Sequence, residues 1–138
     1  MTRTETIAVA TREREQLVDV TEPVRRAVER SGVREGLCGV YSPHTTCGVT
    51  VQEGWDPAVA RDAVTVLARL VPREGTYAHA EGNSDAHVKT ALVGCGVTIP
   101  ITGGRLRLGR WQAVFLCEFD GPRQRELWVT VTGDGGAG

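Results

Sequence analysis

The chain has almost no net charge: 16 basic and 17 acidic side chains leave a formal −1. No global field therefore draws it to nucleic acid or to an anionic membrane surface, and any anion site has to be local. It also lacks a long apolar run. Nothing approaches a membrane span, and the Met1-Thr-Arg-Thr-Glu start has no apolar signal core, so the expectation is a cytoplasmic protein with no membrane partner. CxxC pairs are absent as well. Cys38, Cys47, Cys95 and Cys117 stand far apart in strand-like runs, which speaks against a zinc ribbon or redox motif and for small buried hydrophobes. Cys47 is three residues from His44, and strand alternation points the two side chains apart. The Gly103-Gly104 pair lacks the spacing of a phosphate loop and leads into a strand, so it reads as a turn. No repeat or linker divides the 138 residues, which fit a single domain, with Gly133 to Gly138 expected to be a disordered tail.

What is present is concentrated. The stretch Tyr77 to Lys89, YAHAEGNSDAHVK, holds two of the three histidines, the one lysine, the carboxylates Glu81 and Asp85, and Asn83. Asn83 or Ser84 can cap a helix from about Asp85 to Val93, because short oxygen-bearing side chains accept the unpaired N–H groups of a first turn. His87 falls in that turn, where the positive helix end favours a neutral imidazole able to bind a metal or accept a proton. His79 lies on the incoming loop. His44 stands in SPHTTCGVT, after a proline that sets an extended approach and before a strand. If the three converge, three neutral imidazoles with an open fourth position are the ligand set of a catalytic zinc-type site. The plainer alternative is a capped helix whose histidines satisfy local hydrogen bonds.

In chain order, Thr4 to Ala10 and Gln16 to Val20 read as two antiparallel strands turning at Arg12-Glu13-Arg14, a first hairpin. Thr21 can cap a helix with Pro23 in its first turn, Val20, Val24, Ala27 and Val28 on its apolar side and Gly32 as its left-handed stop. Gly36 to Tyr41 and Cys47 to Gln52 are strands in which Gly39 and Gly48 mark places where bulk is unwanted. Asp56-Pro57 starts a second helix with a buried stripe of Ala60, Ala63, Val64, Leu67 and Ala68. After the histidine-rich stretch come four strands, Val97 to Ile101, Arg105 to Leu108, Gln112 to Phe119 and Arg125 to Thr132, the first two joined by the Gly103-Gly104 turn. This order predicts an α+β fold with mainly antiparallel pairing and short flanking helices.

Four separated motifs, HTTCGVTVQEGWDP, YAHAEGNSDAHVK, GGRLRLGRWQ and LCEFDGPRQR, occur here in the order found in the YjbQ family, which the chain resembles from about His44 to Arg125. The resemblance implies a β-sandwich-like core, a homotrimer, a pocket near the subunit interface, and a thiamin phosphate synthase activity. Carried over position by position, it marks His44, His79 and His87, with Asn83, Lys89, Trp111, Gln112, Glu118 and Arg123 nearby. Arg110 departs from the family pattern, which more often has a small polar residue before the Trp-Gln pair.

Three readings follow. In the first, the chain joins a pyrimidine diphosphate to a thiazole phosphate, with Lys89 and Arg123 neutralising phosphate oxygens and Asn83, Trp111 and Gln112 completing the substrate site. Magnesium on carboxylates usually manages a diphosphate, whereas three imidazoles suit zinc or another transition metal. The second reading is therefore a metal-dependent hydrolase or lyase acting on a small phosphorylated or carbonyl metabolite, with Glu118, Glu81 or Asp85 as proton acceptor. The third is a trimeric metabolite-binding protein without turnover. Glu118 separates them: at a pocket mouth it is a base, and paired with an arginine it is structural.

Overall fold

The computed structural model describes residues 1–135. Among the described residues, eight strands and three helices follow one another as β1 (Thr2–Ala10), β2 (Gln16–Asp19), α1 (Thr21–Ser31), β3 (Val33–Tyr41), β4 (Cys47–Glu53), α2 (Pro57–Leu70), α3 (Ser84–Val93), β5 (Gly96–Thr102), β6 (Arg105–Leu106), β7 (Gln112–Glu118) and β8 (Gln124–Gly135). All pairing is antiparallel, in a five-stranded sheet ordered β1-β8-β3-β5-β6 and a three-stranded sheet ordered β2-β7-β4. The α+β class with antiparallel pairing is as expected.

The main core fills the space between the sheets, with Cys38, Val40, Leu127 and Val129 from one and Val49, Val114 and Leu116 from the other. Helix α1 adds Val24, Ala27 and Val28 to it, and Gly32 ends that helix at φ 73°; Thr21 is its first residue and not its cap, because its hydroxyl accepts the Val114 N–H at 2.9 Å. A second cluster, Ala86, Ala113, Phe115, Cys117 and Phe119, lies on the other face of β7. Strand β7 is thus buried on both faces, which is why its sequence runs apolar without alternation. The outer face of the five-stranded sheet is uncovered. It carries the hydroxyl pairs Thr2–Thr132 and Thr4–Thr130 and the stacked, half-exposed rings of Tyr41 and Trp128.

Several expectations need correction. Strands β1 and β2 are no hairpin: β1 pairs with β8 and β2 with β7, in different sheets. The connecting residues cross between sheets because their side chains are used inward, Thr11 on Glu118, Arg14 on Asp85 and Glu15 on Lys89. In α2, Asp56 caps the backbone N–H of Ala58 as expected, but no residue of the helix is buried, and its apolar stripe is only half covered. A Cβ at Gly48 would stand 2.6 Å from the Gly94 carbonyl, so bulk is excluded there, whereas Gly39 has ordinary space. Residues Gly133 to Gly135 belong to β8 and are not a loose tail; the remainder of the expected tail lies outside the described residues. Three of the cysteines are buried and Cys95 is exposed, all four as thiols. No described helix is long and apolar enough to cross a membrane.

Candidate functional site

His44 sits in the β3–β4 loop, and the loop is tied at several points. The Ser42 hydroxyl donates to the Cys47 carbonyl at 2.7 Å and accepts the His44 backbone N–H at 3.2 Å, while the Ser42 N–H reaches the Cys95 carbonyl at 2.7 Å. His44 Nε2 lies 3.0 Å from the Glu126 backbone N–H and 3.2 Å from the Glu126 carbonyl. A backbone N–H always carries its hydrogen, so the favoured neutral tautomer accepts at Nε2 and carries its proton on Nδ1. Burial, reinforced by the charge of Arg125, holds the His44 pKa below its ordinary value.

Helix α3 brings the other histidines. Asn83 holds its N-cap position and His87 its first turn, as the sequence predicts, but the expected side-chain cap is absent: Asn83 turns its amide to Asp120, and neither its Oδ1 nor the Ser84 hydroxyl has a partner. The helix turns its charges inward. Asp85 and Lys89 are buried, while Val88 and Leu92 face solvent. Inside, Lys89 Nζ donates to Asp85 at 2.8 Å and to Glu15, and Arg14 grips both Asp85 oxygens at 3.0 and 3.1 Å. Burial pushes the Asp85 carboxyl up, but the hydrogen bonds from Arg14 and Lys89 outweigh it, and the net pKa lies below the usual carboxylate value. This cluster fixes the roll of α3 and so the direction of its exposed side. There His87 meets His79 edge to face, ring centroids 5.3 Å apart, with Glu81 3.9 Å from His79 Nε2.

A cavity of about 370 Å³ joins the two regions, with His44, Asn83, His87, Asp120, Arg123 and Arg125 in its wall. Asn83 donates its amide to Asp120 Oδ2 at 2.8 Å, leaving its own Oδ1 buried without a partner. Arg123 bonds the Asp120 carbonyl at 2.7 Å and carboxylate at 3.1 Å, yet its side chain stays 53% exposed, so further donors remain for a ligand. The cavity therefore offers two imidazoles and the free donors of the Arg123 guanidinium, beside the carboxylates of Asp120 and Glu81, while the unfilled Asn83 Oδ1 is buried behind its wall.

The other expected site residues go elsewhere. Glu118 is no base at a pocket mouth: it is fully buried, accepting from Arg125 Nε at 2.7 Å and from the Thr11 hydroxyl at 3.2 Å. Asp85 and Lys89 satisfy each other and are closed to substrate. Trp111 and Gln112 stand at the opposite end of β7 from Glu118, six residues or about 20 Å along the strand. There Trp111 packs edge-on against Trp55 beneath the Arg110 guanidinium, in a separate cavity. Nor do the three histidines form one ligand set within this chain. Among the described residues, no group of three or more His, Cys, Asp or Glu side chains can hold an ion. His44 is withheld because its Nε2 is taken by β8, and ligation at Nδ1 requires the opposite tautomer. His79 and His87 alone suit a shared ion, since two imidazoles at about 2.0–2.1 Å and a tetrahedral angle put their centroids about 5 Å apart.

Reasoning from sequence missed Asp120, Arg125 and Thr46 as parts of this region. Arg125 Nη2 donates to the Thr46 hydroxyl at 2.8 Å, which locks the loop next to His44. The one available signal was the charge density of Asp120-Gly121-Pro122-Arg123-Gln124-Arg125 directly after an apolar strand.

Comparison with known proteins places this arrangement. Residues 5–134 match the family model described as UPF0047 protein YjbQ-like. A UPF0047 protein of Methanocaldococcus jannaschii is 47% identical over 126 residues, 91% of each chain, and the UPF0047 protein YugU of Bacillus subtilis is 36% identical over 93% of this chain and 98% of its own. Among solved structures, a YjbQ/UPF0047 family protein from Clostridium acetobutylicum superposes with a TM-score of 0.91 at 42% identity, covering 93% of this chain and 99% of that one. A YbjQ-like protein of unknown function from Sulfolobus solfataricus P2 gives 0.94 at 29% identity, covering 97% and 99%.

Proposed function

The chain belongs to the YjbQ-like UPF0047 family, and from that premise we propose that it binds a small phosphorylated metabolite between the His44 loop and α3 and performs group transfer there, of the thiamin phosphate synthase type. The observation that carries this reading is the cavity that His44 and His87 share with the half-exposed Arg123. In such a transfer the thiazole nitrogen bonds to the pyrimidine's exocyclic methylene carbon, the C–O bond breaks, and its electron pair leaves on pyrophosphate. Arg123 is suited to neutralise that leaving group, His87 to supply a proton to it, and His44, through Nδ1–H, to hold a phosphate oxygen.

A second reading rests on the His79–His87 pair, which fits two corners of the ligand set of a divalent transition metal, zinc first, with magnesium the less suited to imidazole. Such an ion supplies Lewis-acid chemistry for a hydrolase or lyase. Of the three carboxylates expected as proton acceptors, Glu81 alone remains exposed, its side chain at 77%. The homotrimer belongs to the same proposal, supported by the uncovered outer sheet face with Leu37, Tyr41 and Trp128 exposed; equilibrium sedimentation giving a monomer at micromolar concentration removes it.

Calorimetric titration with inorganic pyrophosphate tests the first reading. Binding is expected, weakened about tenfold by Arg123→Gln, since a charge-assisted hydrogen bond is worth about 1.5–3 kcal/mol. With the pyrimidine diphosphate and thiazole phosphate supplied, His87→Gln is expected to lower turnover by about 10²-fold or more. If pyrophosphate does not bind, the anion site is lost as an idea; if it binds without turnover, the protein is a binder.

A further inference from the structure

The polar cavity is not isolated. A second, of about 460 Å³, shares Pro43, His44, Thr45 and His87 with it and continues past them to Tyr41, Ala91 and Cys95, with a mostly apolar wall. A third cavity, beside Tyr77 and Val88, touches the polar one only through His87 and is a neighbour rather than a continuation. We propose that the two cavities joined at His44 and His87 are the halves of one binding site, the polar half for a phosphate group and the apolar half for the organic body attached to it. The inference rests on the phosphate reading above and extends it to the substrate's class: a phosphate ester of an aromatic or similarly apolar alcohol, lying across both halves.

Three observations carry it. Charge is segregated: Glu81, Asp120, Arg123 and Arg125 all line the polar half, where Arg123 keeps donors free for an anion, and no ionised carboxylate, guanidinium or ammonium lines the other. Each half lies within the size range of small-ligand pockets, about 300–1,000 Å³, and such pockets combine an apolar wall with a few placed polar groups. The two imidazoles stand at the junction, where the bond between phosphate and organic body must fall, so the acid–base groups meet the bond that changes.

Cys95 makes the apolar half observable. Cys38, Cys47 and Cys117 are buried, with burial pushing their thiols up to about 11, about 11 and about 12, whereas Cys95 is exposed in the cavity wall. The rate of its reaction with a colorimetric disulfide reagent therefore reports occupancy. Benzyl phosphate is the probe and inorganic phosphate the control. Benzyl phosphate is expected to bind at least tenfold more tightly than phosphate and to slow Cys95 modification at least fivefold at saturation; phosphate is expected to compete with it yet leave the Cys95 rate unchanged. Ala91→Phe, at an exposed helix position, fills the apolar half and is expected to abolish the benzyl advantage while preserving phosphate affinity. If phosphate binds, but benzyl phosphate gains nothing and Cys95 reacts at its free rate, the halves are separate sites and the phosphate reading stands. If neither compound binds, that reading falls and takes this one with it.

Discussion

Two arginine–carboxylate pairs stand side by side where β7 hands over to β8, and they do opposite things. Glu118–Arg125 is sealed, with side-chain exposures of 0% and 5%, and each partner is held by a further threonine. Asp120–Arg123, two residues on, leaves its arginine half in water. The chemistry is the same. Burial decides the role, because a charge removed from water must be fully compensated in place, whereas a charge at a cavity edge can exchange its solvent for a ligand. The sealed pair holds the site's walls, and the open pair is available to act.

The sharpest way to break the contrast is to remove one partner of the sealed pair. Glu118→Gln leaves Arg125 buried without a counter-charge and is expected to lose about 3–5 kcal/mol of stability in urea unfolding. Adding Arg125→Met should recover much of that loss, and a loss below about 1 kcal/mol in the single variant means that Arg125 finds water. Lys89→Met comes next, because Asp85 keeps Arg14 while Glu15 loses its closer partner and is left with Arg14 at 3.8 Å: about 1.5–3 kcal/mol is expected. A normal cavity with normal anion binding in that variant would show that the cluster does not orient His87.

A smaller effect is expected from acid. The folded pKa of His44 is depressed, so the unfolded chain takes up its proton first; the His44 contribution is intact above about pH 6.5 and is lost as pH falls through the lower folded value. Asp85 follows with the same sign below the ordinary carboxylate range. Unfolding free energy measured from pH 8 to pH 4 should decline first in the histidine range, and His44→Gln should remove that early decline. A wild-type curve flat between pH 7 and pH 5 contradicts the assignment. The smallest change is Asp120→Asn, worth at most about 1 kcal/mol because the pair is partly solvated. It should nevertheless tighten pyrophosphate binding severalfold by releasing Arg123; weaker binding would mean that Asp120 is needed to aim it.

Local chemistry made much of the fold legible: Gly32 stops α1, Asp56 caps α2 ahead of Pro57, and Gly103-Gly104 turns β5 into β6. Asn83 and the histidine pair could also be read, because they lie within one short stretch. What escaped was every assignment settled by a distant partner. Nothing near Glu118 in sequence announces Thr11, and nothing near Asp85 announces Arg14; these contacts span 107 and 71 positions. Trp111 escaped in the same way, because it precedes β7 while the candidate site gathers beyond that strand's other end. α3 escaped for another reason: the side it buries is ionic, through Asp85 and Lys89, while Val88 and Leu92 stay in solvent, so apolar residues do not mark its inner face.

The pairing of β1 with β8 sets an order in time. Thr2 to Ala10 finds its sheet partner only in Gln124 to Thr132, so a growing polypeptide exposes this strand unpaired until Gln124 and the residues after it have been made. His44 waits 82 positions, since the backbone that anchors its ring is at Glu126. Contacts between such remote segments are slow to form, typically in milliseconds to seconds for sheet-rich domains. The cavity beside His44 is thus incomplete until β8 is in place, and a nascent chain halted before Gln124 carries the histidines without the strand that anchors His44.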